Sequence, residues 1–189
     1  MDPNVLHNIS YGMFVVSSNK DNAFNGQIAN TVFQVTSVPA TVAISINNKN
    51  LTYEYIKKSS HFSVSILEED APLTFIGKFG FKSGRQEDKF REANFKVLSS
   101  GCPVITDYSI AYLHADVIKT IDCLTHTLFL GCMKDGGILK EGKPMTYDYY
   151  HNVKKGATPP RSPIFIRGES RSMHAGSPLG EEEGRKRGA

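Results

Sequence analysis

The sequence lacks the features of membrane proteins and of disulfide-stabilised secreted proteins. No apolar run approaches the about 20 residues that span a bilayer, and the N-terminus has no signal-peptide core. The three cysteines, Cys102, Cys123 and Cys132, show no C-x-x-C spacing, which argues against a disulfide framework or a structural zinc site. We therefore expect a cytoplasmic protein with no membrane partner, no bound metal, and buried or partly buried thiols.

The common nucleotide-binding signatures and a strong basic charge are also missing. No G-x-G-x-x-G follows a strand-like segment and there is no Walker sequence, so neither a Rossmann nor a P-loop site is indicated. The formal net charge is only +3, and much of the basic excess lies after Val153. This distribution argues against nucleic acid as the main partner. The alternative left open is a barrel that binds oligonucleotides through a basic loop and tail, in a salt-sensitive way.

The pattern of apolar and β-branched residues predicts a mainly β fold. Asn50 is expected to cap a short helix over residues 51–58, and Asp70 to cap another that starts at residues 71–72. Strands are expected at residues 12–17, 23–29, 41–46, 61–67, 110–121 and 127–133, with residues 122–126 as the loop between the last two. Many strands with few helices favour a closed or nearly closed antiparallel barrel, which also removes exposed sheet edges.

Composition divides the chain into a domain and a tail. Residues 1–158 carry the periodic apolar pattern, whereas residues 159–189 are rich in proline, glutamate and basic residues. In this second part, only residues 164–166 are apolar enough to pack. We expect the tail to be extended or disordered, either as an arm over a partner subunit or as a sequence foreign to the domain.

A polar cluster at residues 45–52 follows a predicted strand and begins a predicted helix. Backbone N–H groups and the macrodipole make a helix N-terminus suitable for an anion. Ser45, Asn47 and Thr52 add side-chain donors, and Lys49 adds a positive charge. The alternative is that Asn50 and Thr52 only cap the helix, although capping and phosphate binding use the same orphan donors.

A second polar cluster, residues 82–90, is rich in cations. Lys82, Arg85 and Lys89 can make charge-assisted hydrogen bonds to phosphate, and Ser83 and Gly84 allow close approach of the loop. Lys89 is the best candidate for a phosphate contact, while Arg85 is a candidate for shaping the loop. The alternative is a solvated surface loop, since charged runs usually face water.

Three other segments are candidates for contact with a ligand. His126 sits between two predicted strands, where an imidazole can contact an anionic or redox-active group, although a loop histidine can also be a plain surface residue. Asn30 and Thr31 suit the rim of a heterocycle, or they form only a turn. The aromatic residues 147–150 are suited to covering a flat ligand. His61 and His114 lie within strands and are interpreted as structural.

Taken in order, these motifs resemble the flavin reductase-like family over residues 4–158. The greatest similarity is to the flavin domains of flavoredoxins and of NAD(P)H:rubredoxin oxidoreductases, the high-molecular-weight rubredoxins. The matching segments are Gly12-Met13-Phe14-Val15-Val16, Asn25-Gly26, Asn30-Thr31, the run from Gln34 to Pro39, Ser45-Ile46-Asn47, the run from Phe79 to Arg85, Asp88-Lys89-Phe90, His126 before Leu128 to Gly131, and Tyr147 to Tyr150.

The resemblance implies an FMN-binding split β-barrel that works as a homodimer. It also implies three groups of site residues. Along the isoalloxazine lie Asn30, Thr31 and Gln34; at the ribityl and phosphate groups lie Ser45, Asn47, Asn50, Thr52 and Lys89; and approaching the flavin from the loop are Lys82, Ser83 and Gly84. His126 would face the side where a nicotinamide or an electron acceptor docks.

The function implied is electron transfer from NAD(P)H through bound FMN to a carrier such as rubredoxin or another redox protein, to free flavin, or to a metal. The alternative is a flavoredoxin-type relay with little or no NAD(P)H turnover. Family members fused to rubredoxin continue into an iron domain with two C-x-x-C pairs, which this sequence does not contain. We therefore expect any rubredoxin centre to belong to another protein.

Overall fold

The computed structural model describes residue 5 and residues 8–163 of the chain. Seven antiparallel strands form one sheet in the order β2-β1-β5-β8-β9-β4-β3, and a two-stranded β6-β7 sheet lies beside it. The elements are β1 Phe14–Lys20, β2 Ala23–Ala29, β3 Val32–Ser37, β4 Ala40–Asn47, α1 Leu51–Ser59, β5 His61–Leu67, α2 Leu73–Gly80, β6 Phe95–Val97, β7 Pro103–Ile105, β8 Ser109–Cys123, β9 His126–Ile138 and α3 Tyr147–Asn152. The expected mainly β, antiparallel fold is confirmed.

Strand alternation divides the core between the two faces of the sheet. Val15 and Val16 are adjacent on β1 and fully buried, yet they belong to separate apolar clusters, because successive side chains of a strand point in opposite directions. The cluster around Val15 includes Ile76 and Phe79 of α2. The cluster around Val16 includes Ile56 of α1. Each of these two helices therefore contributes to one cluster.

Helix α1 begins where the sequence predicted, and α2 does not. Asn50 occupies the N-cap position of α1, although its side chain makes no capping hydrogen bond. The predicted capping of α2 by Asp70 is wrong, because Pro72 is the N-cap and the helix starts at Leu73. A proline disfavours helical dihedral angles in the residue before it, so Ala71 cannot be the first helical residue.

The loop predicted between the last two long strands is shorter than expected. Asp122 and Cys123 belong to β8 and His126 opens β9, which leaves a tight turn at Leu124 with a φ angle of 65°. Cys123 is exposed, contrary to the expectation for the thiols, whereas Cys102 is buried. None of the described helices is long and apolar enough to cross a lipid bilayer.

Candidate functional site

A cavity of about 560 Å³ lies beside the ends of β2 and β4 and the N-terminus of α1. Helix α2 and the loop that follows it form a second wall, and residues 157–163 contribute a third. Ten of the residues predicted for the site line this cavity: Asn30, Ser45, Asn47, Asn50, Thr52, Lys82, Ser83, Gly84, Lys89 and His126. The structure thus brings together segments that are far apart in the sequence.

Thr31 and Gln34, also predicted for the site, are not among the described residues that line the cavity. Thr31 Oγ1 donates to Asn30 Oδ1 at 3.1 Å. Gln34 is exposed on the edge strand β3, where its Nε2 donates to the Thr36 carbonyl at 3.2 Å. The chain turns between β2 and β3, so residues after Asn30 lead away from the cavity on a separate strand.

Two polar residues of β2, Asn25 and Gln27, line the cavity but were not assigned to the site from the sequence, although Asn25 belongs to a matching motif. Asn25 is 3% exposed, and its Nδ2 donates to Thr52 Oγ1 at 2.7 Å, which ties β2 to α1. Gln27 lies two residues further on, and both residues line the cavity. Their spacing was the available signal, because polar side chains at positions i and i+2 of a strand share a face.

Three buried polar atoms in the cavity wall have no hydrogen-bond partner within the described part of the chain. They are Gln27 Oε1, Asn30 Nδ2 and His126 Nε2. Buried polar atoms are nearly always hydrogen-bonded, so a cluster of unpaired ones calls for an explanation. A flat heterocycle with both donors and acceptors on its rim would supply the missing partners.

The N-terminus of α1, which borders the cavity, is suited to an anion. The Asn50 side chain makes no capping hydrogen bond, and Asn47 Oδ1 accepts instead from the Lys49 N–H at 3.0 Å, ahead of the helix. The side chain of Asn50 therefore makes no hydrogen bond to the backbone N–H groups of the first turn of α1. Leu51 and Thr52 of this turn line the cavity, at the end where the helix dipole is positive.

Gly84 brings the cation-rich loop into contact with the strand and helix. A Cβ atom at this position would lie 2.0 Å from Asn25 Oδ1 and 3.1 Å from Leu51 Cδ2. Any side chain larger than hydrogen would push the loop away. Glycine at this position therefore allows the loop of residues 82–90 to pack against the cluster of residues 45–52, beside the N-terminus of α1.

The three cations of the loop have different surroundings. Lys82 forms a salt bridge of 2.8 Å with Glu87, and Arg85 is paired with Glu54 of α1. The pairing of Arg85 agrees with the expectation that it shapes the loop. Lys89 differs from both in being buried.

Lys89 is 4% exposed, and within residues 8–163 no carboxylate forms a salt bridge with it. Its Nζ lies 3.4 Å from the Phe79 carbonyl oxygen and 3.3 Å from that of Lys82. Burial lowers its pKa to about 8, an effect that the charge of Glu87 partly opposes. A buried cation held by neutral oxygens and facing a cavity is suited to bind an anion.

His126 is half-buried in the cavity wall, where the sheet register pairs it with Asn47 at the end of β4. Its Nδ1 lies 2.9 Å from Thr125 Oγ1, whereas Nε2 makes no hydrogen bond of normal geometry with the described residues. Burial lowers the pKa of His126, and the nearby backbone of Arg161 partly offsets this. The imidazole is therefore neutral at physiological pH, with Nε2 available to a ligand.

The end of the described chain also contributes to the cavity. Tyr147 and Tyr150 line it, as do several residues of the segment 157–163, which runs into the predicted tail. Arg161 Nη1 donates to the Lys49 carbonyl at 3.3 Å and to Asn50 Oδ1 at 3.4 Å, at the N-terminus of α1. No local pattern predicted this contact, since the prolines on both sides of Arg161 indicate only an extended chain. The apolar residues 164–166 lie outside the described residues.

Comparison with known proteins identifies the family. The flavin reductase like domain family matches residues 6–156 of the chain. The chain belongs to this family. It is 46% identical over 175 residues to the high molecular weight rubredoxin of Moorella thermoacetica, covering 93% of this chain and 76% of that protein. It is also 40% identical over 166 residues to the ferric-chelate reductase (NAD(P)H) of Archaeoglobus fulgidus, covering 88% of this chain and 98% of that protein.

Solved structures of the family share the fold. The flavoredoxin of Methanosarcina acetivorans superposes with a TM-score of 0.64 at 21% identity, over 71% of this chain and 74% of that chain. The resemblance drawn from the sequence motifs and the expected split-barrel fold are confirmed. This flavin reductase-like protein is an oxidoreductase that uses a flavin.

Proposed function

We propose that this flavin reductase-like protein binds FMN in the cavity and passes electrons from NAD(P)H to a second redox partner. The names of its two relatives support rubredoxin and chelated ferric iron as acceptors. The observation that carries the proposal is the group of unpaired polar atoms of Gln27, Asn30 and His126 in the same cavity as the buried Lys89. Together they match a molecule with a polar heterocycle at one end and an anion at the other.

The phosphate of FMN is assigned to the N-terminus of α1. The helix end and the hydroxyls of Ser83 and Thr52 are available there as donors, with Lys89 as the buried cation. Arg161 already contacts this helix end through its guanidinium group and would add a second cation. One anion-binding end of this kind favours a mononucleotide such as FMN over a dinucleotide.

The isoalloxazine is assigned to the other half of the cavity. Gln27 Oε1 would accept a hydrogen bond from the ring edge, and Asn30 Nδ2 would donate one. His126 would contact the ring or the incoming reductant with Nε2, and its role is to orient and not to abstract a proton. When bound, the flavin supplies the redox chemistry, while the protein supplies position and electrostatics.

A relay without NAD(P)H turnover is the second candidate. The segment 157–163 lines the cavity, and the backbone of Arg161 lies close to His126, where the nicotinamide is expected. If this segment stays in place, the reductant has limited access to the flavin. Electrons would then enter from a protein partner and not from a dinucleotide.

The two candidates are separated by three measurements on the purified protein. We expect a yellow protein whose released flavin is FMN, and oxidation of NADH or NADPH that rubredoxin or ferric chelate accelerates. A flavin that dithionite reduces but neither dinucleotide does would support the relay. A colourless protein that FMN does not reconstitute would refute both candidates.

We also propose that the protein acts as a homodimer. Exposed apolar residues occur on the edge strand β3, in the turn that follows it and at the tip of the β8-β9 hairpin. Val38 in that turn is 92% exposed, and Leu124 at the hairpin tip is 93% exposed. Phe33 and Val35 of β3 and Ile121 of β8 are also at least 44% exposed. Apolar surface of this kind usually marks an interface. Light scattering coupled to gel filtration should give twice the chain mass, and a monomer would contradict this proposal.

A further inference from the structure

A second group of ionisable side chains lies on the sheet. The antiparallel pairing of β5 with β8 sets His61 opposite Asp116, and Ser63 opposite His114. Side chains two residues apart on a strand share a face, so His61, His114 and Asp116 project from one side of the sheet. None of the three is among the described residues that line the flavin cavity.

The three side chains are close enough to share a metal ion. One ligand atom of each lies within 4.8 Å of the others. The two imidazole rings meet edge to face, with their centroids 5.3 Å apart. Ligands of a tetrahedral Zn²⁺ ion with bonds of about 2.0–2.2 Å lie roughly 3.3 Å apart, so small side-chain rotations would complete the set.

One nitrogen of each ring already has an oxygen partner. His61 Nε2 contacts Asn19 Oδ1, and His114 Nε2 lies 3.1 Å from Ser100 Oγ. His61 Nε2 donates to the Asn19 amide oxygen, so the lone pair of this ring is on Nδ1, where it can bind a metal. His114 has the same arrangement when its Nε2 donates to the Ser100 hydroxyl. Metal-binding histidines are commonly held in this way by an oxygen acceptor behind the ring.

We propose that His61, His114 and Asp116 bind one divalent transition-metal ion. Two imidazoles and one carboxylate form a donor set that suits Zn²⁺, with a fourth position left for water. Burial lowers the pKa of both histidines, which favours the neutral form that binds metals. The expectation of no bound metal rested on the absence of metal-binding cysteine spacing, whereas the two histidines approach each other only through strand pairing.

The charged residues around the cluster have opposite effects on the binding of a metal ion. Asp135 of β9 pairs with His114 in the sheet register and adds negative charge. Lys134 Nζ lies 3.8 Å from Asp116 Oδ2 and competes with a cation for this carboxylate. The ion would join β5 to β8, and through Ser100 it would also hold the loop that leads into β7. Metal binding should therefore stabilise the fold.

The test is a Zn²⁺ titration of chelator-treated full-length protein by calorimetry, with bound metal counted by mass spectrometry. We expect one Zn²⁺ per chain and a higher Tm with the metal. Asp116→Asn keeps the shape of the side chain and should weaken Zn²⁺ binding by at least about tenfold. The matched control is Asp122→Asn, on the same strand and outside the cluster, which should bind Zn²⁺ as the wild type does.

Two further variants make the result unambiguous. His61→Ala, at a partly exposed ring, should also lose Zn²⁺ binding, and Lys134→Met should tighten it by removing the competing cation. Circular dichroism and flavin content check that each variant is folded, and the flavin content should not change, because the site is separate from the cavity. Wild-type protein that binds no stoichiometric Zn²⁺, or binding that survives both His61→Ala and Asp116→Asn, would overturn the proposal.

Discussion

Lys82 and Lys89 belong to the same loop, yet they differ in exposure and in the groups that surround their charges. Lys82 is mostly exposed and neutralised by Glu87. Lys89 is buried, lies near two carbonyl oxygens, and has its pKa lowered to about 8 by burial. The same contrast separates Gln34, exposed on β3, from Gln27, whose Oε1 is buried without a partner among the described residues. Residue type and position in the sequence are therefore enough to name candidate ligand-binding residues. Burial shows which of these candidates has a polar or charged group that a ligand would pair with.

The largest effect is expected from the buried lysine. Lys89→Met should weaken FMN binding about 10- to 100-fold, because a hydrogen bond to a charged group contributes about 1.5–3 kcal/mol. The control Lys82→Met should change the affinity by less than about threefold, since exposed salt bridges contribute little. Fluorescence titration of FMN into flavin-free protein measures both. Equal losses of FMN affinity in the two variants would contradict the conclusion that burial distinguishes Lys89 from Lys82.

The second prediction concerns pH. Burial lowers the pKa of Lys89 to about 8 in the free protein, and a bound phosphate would raise it again. FMN affinity should therefore be constant just below pH 8 and fall above it, approaching about tenfold per pH unit. Lys89→Arg keeps its charge and should remove this dependence, even if its affinity is lower. An identical pH profile in the variant would show that another group titrates.

The same pKa shift affects the stability of the flavin-free protein in the opposite direction. Between pH 8 and the ordinary lysine pKa of 10.5, the unfolded chain binds more protons at this position than the folded chain does. Lys89 therefore makes the free energy of unfolding rise with pH in this range. Denaturant unfolding of flavin-free wild type and Lys89→Met should show this difference in slope.

A smaller effect is expected for the two glutamines. Gln27→Leu should weaken FMN binding about fivefold to tenfold, because it removes a buried acceptor that the ring edge would use. Gln34→Leu should leave the affinity unchanged if only the cavity wall contacts the flavin. A loss at Gln34 would support the contact implied by the family resemblance, most simply through the second subunit of a dimer.

The smallest effect is expected at Arg161. Its guanidinium group is exposed and donates to the N-terminus of α1 at 3.3–3.4 Å. Arg161→Ala should weaken FMN binding by at most about fivefold, the range of exposed charge pairs. The loss should shrink at high salt, because salt screens exposed charges. A loss as large as that of Lys89→Met would mean that the segment becomes buried when the flavin binds.

Much of the cavity could be predicted because its parts follow local rules. Ser45 to Thr52 marks the point where a strand ends and a helix begins, and the backbone N–H groups at such a junction are suited to an anion. The order of the motifs then identified the family. Gln27 was overlooked because its spacing from Asn25 places the two side chains on one face of β2 without indicating that this face is buried. The cap of α2 was misplaced because Asp70 is a typical N-cap residue, whereas the backbone restriction imposed by Pro72 decided where the helix starts.

The amino-acid sequence alone was sufficient for the mainly β fold, the family and ten of the residues that line the cavity, since periodicity, caps and motif order are local properties of the chain. Tertiary structure decided which lysine is buried, which amide atoms have no partner among residues 8–163, and which residues of the segment 157–163 line the cavity. It also brought His61 and His114 together through the register of β5 and β8. Burial and register depend on contacts between distant segments, and no local pattern encodes them.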